Sequence, residues 1–381
     1  MKTAIILGAA YGGSRAAQIL AAGIPKGWRI FLIDRNSLIS KIDVYVLPRF
    51  SIFPGHEHKA FIPYRSVFQP PKDDRLVLHA RVLFLTAKSV TLPRSFPEHG
   101  TDTTEVPYDY AIYALGSHLP EKQKVVDQAA SVLVIGGGAL GIQLATDIAA
   151  VHPSEKITLL HSRNRLLPRF DEGMHLEILQ SLESLGIEVI LGERLDTSSA
   201  EKYNEEGQRV VRTLSGRDIA TDLMLLCTGQ KPNTSLLKDM NPHTVDAQTG
   251  LARVLRTLQI SLDVATEPGQ DRGKVTTQYP HIFAIGDAAD AFGAIKAEHN
   301  AYFQGEVAVR NVLRLINDSD EPLELYTPGP PAIKVSLGLT RDVYQLDGVI
   351  AVNNDGVEDL QAPAVWAYYG IQVEGEDGMY D

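Results

Sequence analysis

Residues 131–141 read SVLVIGGGALG. Val132, Leu133, Val134 and Ile135 are apolar and mostly β-branched, which suits a buried strand. Gly136, Gly138 and Gly141 follow at the G-x-G-x-x-G spacing, and Ala139–Ala150 has helical composition. The first glycine permits a tight turn. The second lets backbone approach a pyrophosphate, and the third lets helix and strand pack closely. The helix N-terminus then offers unpaired N–H groups to the phosphates. An apolar run at Lys156–Leu160 completes a β-α-β unit.

The same unit opens the chain. Thr3–Leu7 is an apolar run, GAAYGG occupies 8–13, Ser14–Ala22 is Ala-rich, and Arg29–Ile33 ends at Asp34, 21 residues after Gly13. Gly8 and Gly13 keep the outer slots while Ala10 fills the middle one. A degenerate fingerprint alone says little. Set between two strands, with an acid where a ribose is held, it reads as a second dinucleotide site. The expected fold is α/β, with two Rossmann-like dinucleotide-binding domains. A duplicated fold with one empty site is the bland alternative, and the glycines kept in both copies argue against it.

Three later segments punctuate the chain: YDYAIYALGS (108–117), TDLMLLCTGQKPN (221–233) and HIFAIGDAAD (281–290) each run from an apolar strand into a glycine. Turns at Glu206-Gly207 and Ser215-Gly216 suggest a small hairpin layer within 186–228, and Ile295–Ile316 has helical composition. PEHGTDT (97–103) and EPGQDRG (267–273) read as exposed loops, and YTPGPP (326–331) as a breaker before a β-like tail. The domains expected are 1–120 with 251–325, then 121–250, then a small C-terminal α+β domain over 326–381.

The chain has 381 residues, 44% hydrophobic and 22% charged, as a packed globular protein requires. No apolar run approaches the roughly 20 residues needed to span a bilayer. The N-terminal apolar stretch is short and enters a glycine turn, so it reads as a strand and not a signal peptide. Lys2 excludes N-myristoylation there. A net charge of −11 without a basic stripe argues against nucleic acid. Cys227 is the only cysteine, which excludes an intramolecular disulfide and any CxxC redox pair. It sits in the apolar run LMLLC as an inert thiol, and the expected compartment is the reducing cytoplasm.

The order of these segments resembles the two-dinucleotide-binding-domain flavoproteins of the pyridine nucleotide oxidoreductase superfamily. Within it the chain looks like the apoptosis-inducing-factor-like and ferroptosis-suppressor-like branch, related to type II NADH dehydrogenases. GHEHKAFIPY (55–64) and IKAEHNAYFQGEVAVRNV (295–312) resemble segments of that branch. The resemblance implies FAD in the first unit. Gly8, Ala10 and Gly13 would cradle its pyrophosphate, Asp34 would hold the ribose, and Val82 would meet adenine through its backbone. Arg35, Arg49, Ala114, Gly116, Gly286 and Ala297 join the expected FAD shell. Asp287 would bond the ribityl and pyrophosphate region, although a helix N-cap is the plain alternative. The N-terminus of the 295–316 helix would face the pyrimidine end of the flavin, with Lys296 beside it or simply solvated. Lys59 would lie close to the isoalloxazine. His56 and His58 flank it, but two histidines without a further placed ligand define no metal site.

Two departures from that branch stand out. Gln143 takes the place of a glutamate near flavin and nicotinamide. It keeps the reach and loses the charge. The tail 362–381 lacks a basic amphipathic pattern. Trp366, Tyr368 and Tyr369 either line an acceptor pocket or pack in a core.

Gly136, Gly138, Gly141 and Gly229 are expected to hold a reduced nicotinamide dinucleotide. The stretch LLHSRNR (159–165) ends the strand that faces its adenosine ribose. An acid there would repel a 2′-phosphate. His161, Ser162 and Arg163 offer instead one potential cation, one hydroxyl and one permanent cation with a fork of donors. NADPH is therefore expected over NADH. The alternative is that Arg163 and Arg165 are solvated and both cofactors serve. The activity implied is hydride transfer from NAD(P)H to FAD and onward to a quinone or similar small acceptor, with Lys59, Lys296 and Gln143 nearest the chemistry. A homodimer is compatible with this reading. A tailoring enzyme for one metabolite and a redox-sensing flavoprotein with little turnover remain open.

Overall fold

The computed structural model describes residues 1–36, 38–40, 47–50, 52, 55–118, 129–198, 202–262, 277–354, 356, 358, 362–368, 371–373 and 379. The expected loop 267–273, the 120/121 boundary and Tyr369 lie outside these residues.

In chain order the strands used below are β1 (Lys2–Leu7), β2 (Trp28–Asp34), β3 (Arg75–His79), β4 (Tyr110–Tyr113), β5 (Ser117–His118), β6 (Ser131–Ile135), β7 (Lys156–His161) and β8 (Glu188–Leu191). They continue with β9 (Leu223–Leu226), β10 (Lys231–Pro232), β11 (Gln259–Ile260), β12 (Tyr279–Ala284), β13 (Ile333–Ser336), β14 (Asp342–Leu346) and β15 (Val349–Asn353). The helices are α1 (Gly12–Gly23), α2 (Leu47–Phe50), α3 (Ala139–Val151), α4 (Glu172–Ser184), α5 (Glu298–Ile316) and α6 (Ala362–Tyr368).

One sheet has the order β11-β12-β4-β1-β2-β3 and draws strands from both ends of the chain. Its strands from β12 to β3 are parallel, and β11 is antiparallel to β12. A second, wholly parallel sheet has the order β8-β7-β6-β9. Parallel strands are covered on both faces, so they read as continuous apolar runs. Ile5, Ile6, Leu7, Val132, Leu133 and Val134 are accordingly buried. In each sheet the chain runs from the central strand, β1 or β6, to neighbours on one side and returns later to a neighbour on the other side. That reversal opens a crevice at the carboxyl ends of the strands.

Helices α1 and α5 cross at backbone contact. A Cβ on Gly305 would stand 2.5 Å from the Gly12 carbonyl oxygen, and one on Gly12 would stand 2.3 Å from that of Ala301. The sheets are clasped just beyond the crevice, where β5 pairs antiparallel with β10.

The antiparallel meander β13-β14-β15 buries Val335 and Val343 in the core of the second unit. Expected to be β-like, the tail also forms α6, whose Trp366 enters the core of the first unit. The helix expected from Ile295 begins at Glu298, because Ala297 is extended (φ −149°, ψ 153°) and serves as its N-cap.

Candidate functional site

The chain leaves β1 into Gly8, whose N–H donates to the Ile33 carbonyl at 2.8 Å. Gly8 has φ +96°, a region L side chains rarely adopt, and a Cβ there would lie 2.3 Å from the Ala114 carbonyl oxygen. A Cβ on Gly13 would lie 1.9 Å from the Gly8 oxygen. Strand, turn and helix therefore meet through bare backbone. Helix α1 begins at Tyr11 with no side-chain cap and no acid in its first turn. Its leading N–H groups suit a phosphate.

Asp34 fastens this loop from the end of β2. Its Oδ2 accepts from the Ala9 N–H and its Oδ1 from the Asn36 N–H, each at 2.8 Å. The buried Tyr64 phenol also bonds this carboxylate, and burial together with the Asp34 charge raises the phenol well above its ordinary range. Arg35 is exposed beside it, and its carbonyl meets the His79 ring. Val82 is buried.

At the far end of this crevice is a shallow recess lined by Gly286, Asp287, Lys296, Ala297, Asn300 and Gln304. Gln304 accepts from the Gly286 N–H at 2.7 Å. Lys296 donates to the Asp287 carbonyl at 2.9 Å. Burial lowers the Lys296 pKa, opposed by Asp287 and Asp290. The Ser117 hydroxyl donates to Asp287 Oδ2 at 2.8 Å and lies against the Gln230 side chain. Helix α5, like α1, lacks a side-chain cap, whereas α4 is capped by Asp171.

The second glycine loop repeats the first. Gly136 (φ +125°) donates to the Leu160 carbonyl at 2.8 Å, and a Cβ on Gly141 would lie 1.9 Å from the Gly136 oxygen. Helix α3 begins at Gly138 without a side-chain cap. Cys227 is buried behind this loop, and burial pushes its thiol up to about 12. Ser162 and Arg163 are exposed where β7 ends. Among the described residues the Arg163 guanidinium makes no ion pair or hydrogen bond. Arg165, two residues on, donates to the Pro168 and Phe170 carbonyls and is committed to its own loop.

The two exits interlock. The Asn233 N–H donates to the Gly116 carbonyl at 2.9 Å, and its Nδ2 donates to the Leu115 carbonyl at 2.8 Å. The Tyr113 hydroxyl donates to the Asn233 carbonyl. Gly116 and Gly229 both turn with positive φ here. The two crevices are thereby held together at their inner ends. Reading residues one at a time gave no role to Tyr64, Asn233, Ser117 or Gln304. All four lie in quoted motif segments, at FIPY, QKPN, ALGS and YFQGE, yet none carries a local sign of its contacts.

Three expectations need correction. Arg49 was expected at FAD, but all five of its N–H donors are occupied by protein. Nε and Nη2 meet Asp147 Oδ1 at 3.1 and 3.0 Å. Nη1 donates to the Leu339 and Glu358 carbonyls, and Nη2 also donates to the Gly338 carbonyl. It is a clamp between α2, α3 and the C-terminal meander. Gln143 was expected beside flavin and nicotinamide. It is fully buried, and its Nε2 donates to Ser336 Oγ at 3.2 Å, so the side chain points into that same meander. His161 was expected as a potential cation. Its Nδ1 accepts from the Gly137 N–H at 3.0 Å, which needs the neutral ring.

Lys59 lies in a short turn, Glu57–Ala60, and is buried. Its carbonyl accepts from Trp366 Nε1 at 3.0 Å, so Trp366 packs the tail onto this segment.

The chain matches the family model described as pyridine nucleotide-disulphide oxidoreductase over residues 2–305. It is 38% identical to Fe-regulated protein 8 of Mycosarcoma maydis, with 98% of this chain and 96% of that protein covered. It is 27% identical to human ferroptosis suppressor protein 1, covering 90% of this chain and 88% of that protein. Among solved structures, a water-forming NADH oxidase from Lactobacillus brevis bound to NADH superimposes with a TM-score of 0.62 at 20% identity, covering 90% of this chain and 75% of that one. No helix among the described residues is long and apolar enough to cross a membrane. The chain belongs to the pyridine nucleotide-disulphide oxidoreductase family, with FAD and NAD(P)H as its cofactors.

Proposed function

We propose that the protein is an FAD-dependent NAD(P)H:acceptor oxidoreductase that passes electrons to a quinone or similar small conjugated molecule without a redox disulfide. The observation that carries this reading is the pair of bare glycine loops whose crevices are joined at Asn233, in a chain with one buried cysteine. Residues 1–120 with 251–325 form the FAD unit, 121–250 the nicotinamide unit and 326–381 the C-terminal unit. One sheet drawing strands from both ends of the chain supports the first assignment.

In the FAD unit, Gly8, Ala10 and Gly13 lay backbone against the pyrophosphate, and α1 directs N–H groups at it. Asp34 keeps acceptor capacity for the ribose while it fastens the loop. Gly286, Asp287, Lys296 and Ala297 enclose the other end, where Lys296 and the uncapped α5 N-terminus favour negative charge. Ser117 fixes the Asp287 carboxylate. Bound there, FAD supplies hydride acceptance from the nicotinamide and electron delivery to the acceptor.

In the nicotinamide unit, Gly136, Gly138 and Gly141 take the second pyrophosphate, and Ser162 and Arg163 read a 2′-phosphate, so NADPH is preferred. With no dithiol to relay electrons, the acceptor approaches the first crevice directly. The proposed setting is the cytoplasm. Anaerobic reduction by NADPH or NADH, followed by a screen of quinones, metabolites and oxygen, tests the assignment. A quinone should be reduced fastest. One sharply preferred non-quinone metabolite, or no turnover with any acceptor, would overturn it.

A further inference from the structure

The two glycine loops are closed by the same two bonds, and only one closing residue is an acid. In the first unit the Gly8 N–H donates to the Ile33 carbonyl at 2.8 Å, and the next N–H, of Ala9, donates to the Asp34 carboxylate at 2.8 Å. In the second unit the Gly136 N–H donates to the Leu160 carbonyl at 2.8 Å, and the next N–H, of Gly137, donates to His161 Nδ1 at 3.0 Å. Ile33 ends at Asp34 as Leu160 ends at His161, with the register β1–β2 matching β6–β7. His161 thus occupies the place of Asp34 and makes its loop-holding bond without its charge. Gly137 has no Cβ to obstruct this, since one would lie 2.7 Å from the imidazole Cγ.

We infer that His161 is a specificity-determining positioning residue. It is a neutral fastener that holds the nicotinamide-binding loop closed while leaving the ribose end free of negative charge. The inference rests on the proposal that this loop takes the nicotinamide dinucleotide and that Arg163 reads its 2′-phosphate. An acid at this place would hold the loop equally well and repel the phosphate. A side chain without an acceptor would repel nothing and leave the Gly137 N–H unfastened. The charged neighbours agree with a neutral ring. Arg163 and Arg165 share its loop, and Glu193, whose N–H donates to the His161 carbonyl, has its carboxylate taken up by Arg217, Thr213 and Ser215. The glycine loop itself carries no charge. Burial and, more weakly, Arg163 lower the His161 pKa, partly offset by the nearby Arg165 backbone. Protonation would put a donor at Nδ1 facing another donor, so acid should loosen the loop.

The test uses the FAD holoenzyme and equilibrium titration with NADPH and NADH, with flavin content and melting temperature recorded for each variant. His161→Asn keeps an uncharged acceptor and should hold NADPH within about threefold of wild type. His161→Asp keeps the acceptor and adds charge. It should retain NADH affinity and lose NADPH affinity by roughly tenfold or more. His161→Ala removes the acceptor and should weaken both nucleotides by a similar factor, about 2- to 12-fold. Below the ordinary histidine range, wild-type NADPH affinity should fall relative to His161→Asn, which shares the titration of the ligand phosphate. If acid instead tightens NADPH on wild type relative to His161→Asn, the ring acts as a phosphate-binding cation and the proposal fails. It fails too if His161→Ala binds both nucleotides like wild type, or if His161→Asp keeps the NADPH preference. Loss of preference in Arg163→Ala shows that the underlying phosphate reading holds whichever way these results fall. No preference in wild type and no effect of Arg163→Ala overturns that reading, and the His161→Ala and His161→Asn pair still decides the fastening role.

Discussion

Arg163 and Arg165 sit in one short stretch and do opposite things. Arg165 spends its guanidinium on the Pro168 and Phe170 carbonyls, while Arg163 projects into solvent where β7 ends. A hydrogen bond to a charged group contributes about 1.5–3 kcal/mol. Each 1.4 kcal/mol is roughly a tenfold change. Arg163→Ala should therefore lower kcat/KM for NADPH by roughly 10- to 150-fold and leave NADH nearly unchanged. Steady-state kinetics with both nucleotides checks this, and an equal fall would mean a structural or shared contact. Arginine type and position were legible in the sequence, but the tertiary partner was not. Nothing local separates Arg49, whose five donors are satisfied by three distant segments, from an arginine left for a ligand. His161 was legible as a departure from the usual acid. Its tautomer was not, because that depends on the Gly137 N–H across the loop.

The elements with strong periodicity and glycine punctuation were placed within a residue or two, because β-α-β units specify themselves locally. Helix α5 began later than expected because Ala297 is extended. The α1–α5 crossing was not legible, since it depends on Gly12 and Gly305 meeting from opposite ends of the chain. Gly305→Ala would drive a methyl to 2.5 Å from the Gly12 oxygen, at the start of the helix proposed to face the FAD pyrophosphate. The expected outcome is a purified protein with clearly reduced flavin occupancy, read from released chromophore per chain, with Ala308 variants as controls for the helix. The α2–α3 contact is held by Arg49 and Asp147, both fully buried. Breaking a buried pair by removing one partner costs about 3–5 kcal/mol. Arg49→Met should be destabilised on that order, as measured by denaturant or thermal unfolding. Burial raises the Asp147 carboxyl to about 6 from 3.8, outweighing the opposing effect of Arg49. The native state thus takes up a proton between those values that the unfolded chain does not. Stability from this group is fully present below the unfolded value and lost as pH rises through about 6. The stability of wild type relative to Asp147→Asn should accordingly increase on acidification from pH 7 to pH 5. A flat difference would contradict the raised value.

At the level of the molecule, the order of motifs along the chain carried the architecture, and the crevices followed from the reversal at β1 and β6. The route of electrons depends on what lies between the crevices. There the structure places Asn233, Gly116, Ser117 and Asp287, with Cys227 buried behind the second loop. The family is named for a disulfide that this chain has no second cysteine to form. A protein that stores electrons on flavin alone takes up one NADPH per flavin, whereas a flavin paired with a redox disulfide takes up two. Anaerobic titration of the yellow holoenzyme with NADPH counts these equivalents directly. Bleaching should be complete at one NADPH per FAD, in wild type and in Cys227→Ser alike, and added quinone should restore the colour. Uptake of a second equivalent, or failure of Cys227→Ser to pass electrons to quinone while folded and flavin-loaded, would contradict direct transfer.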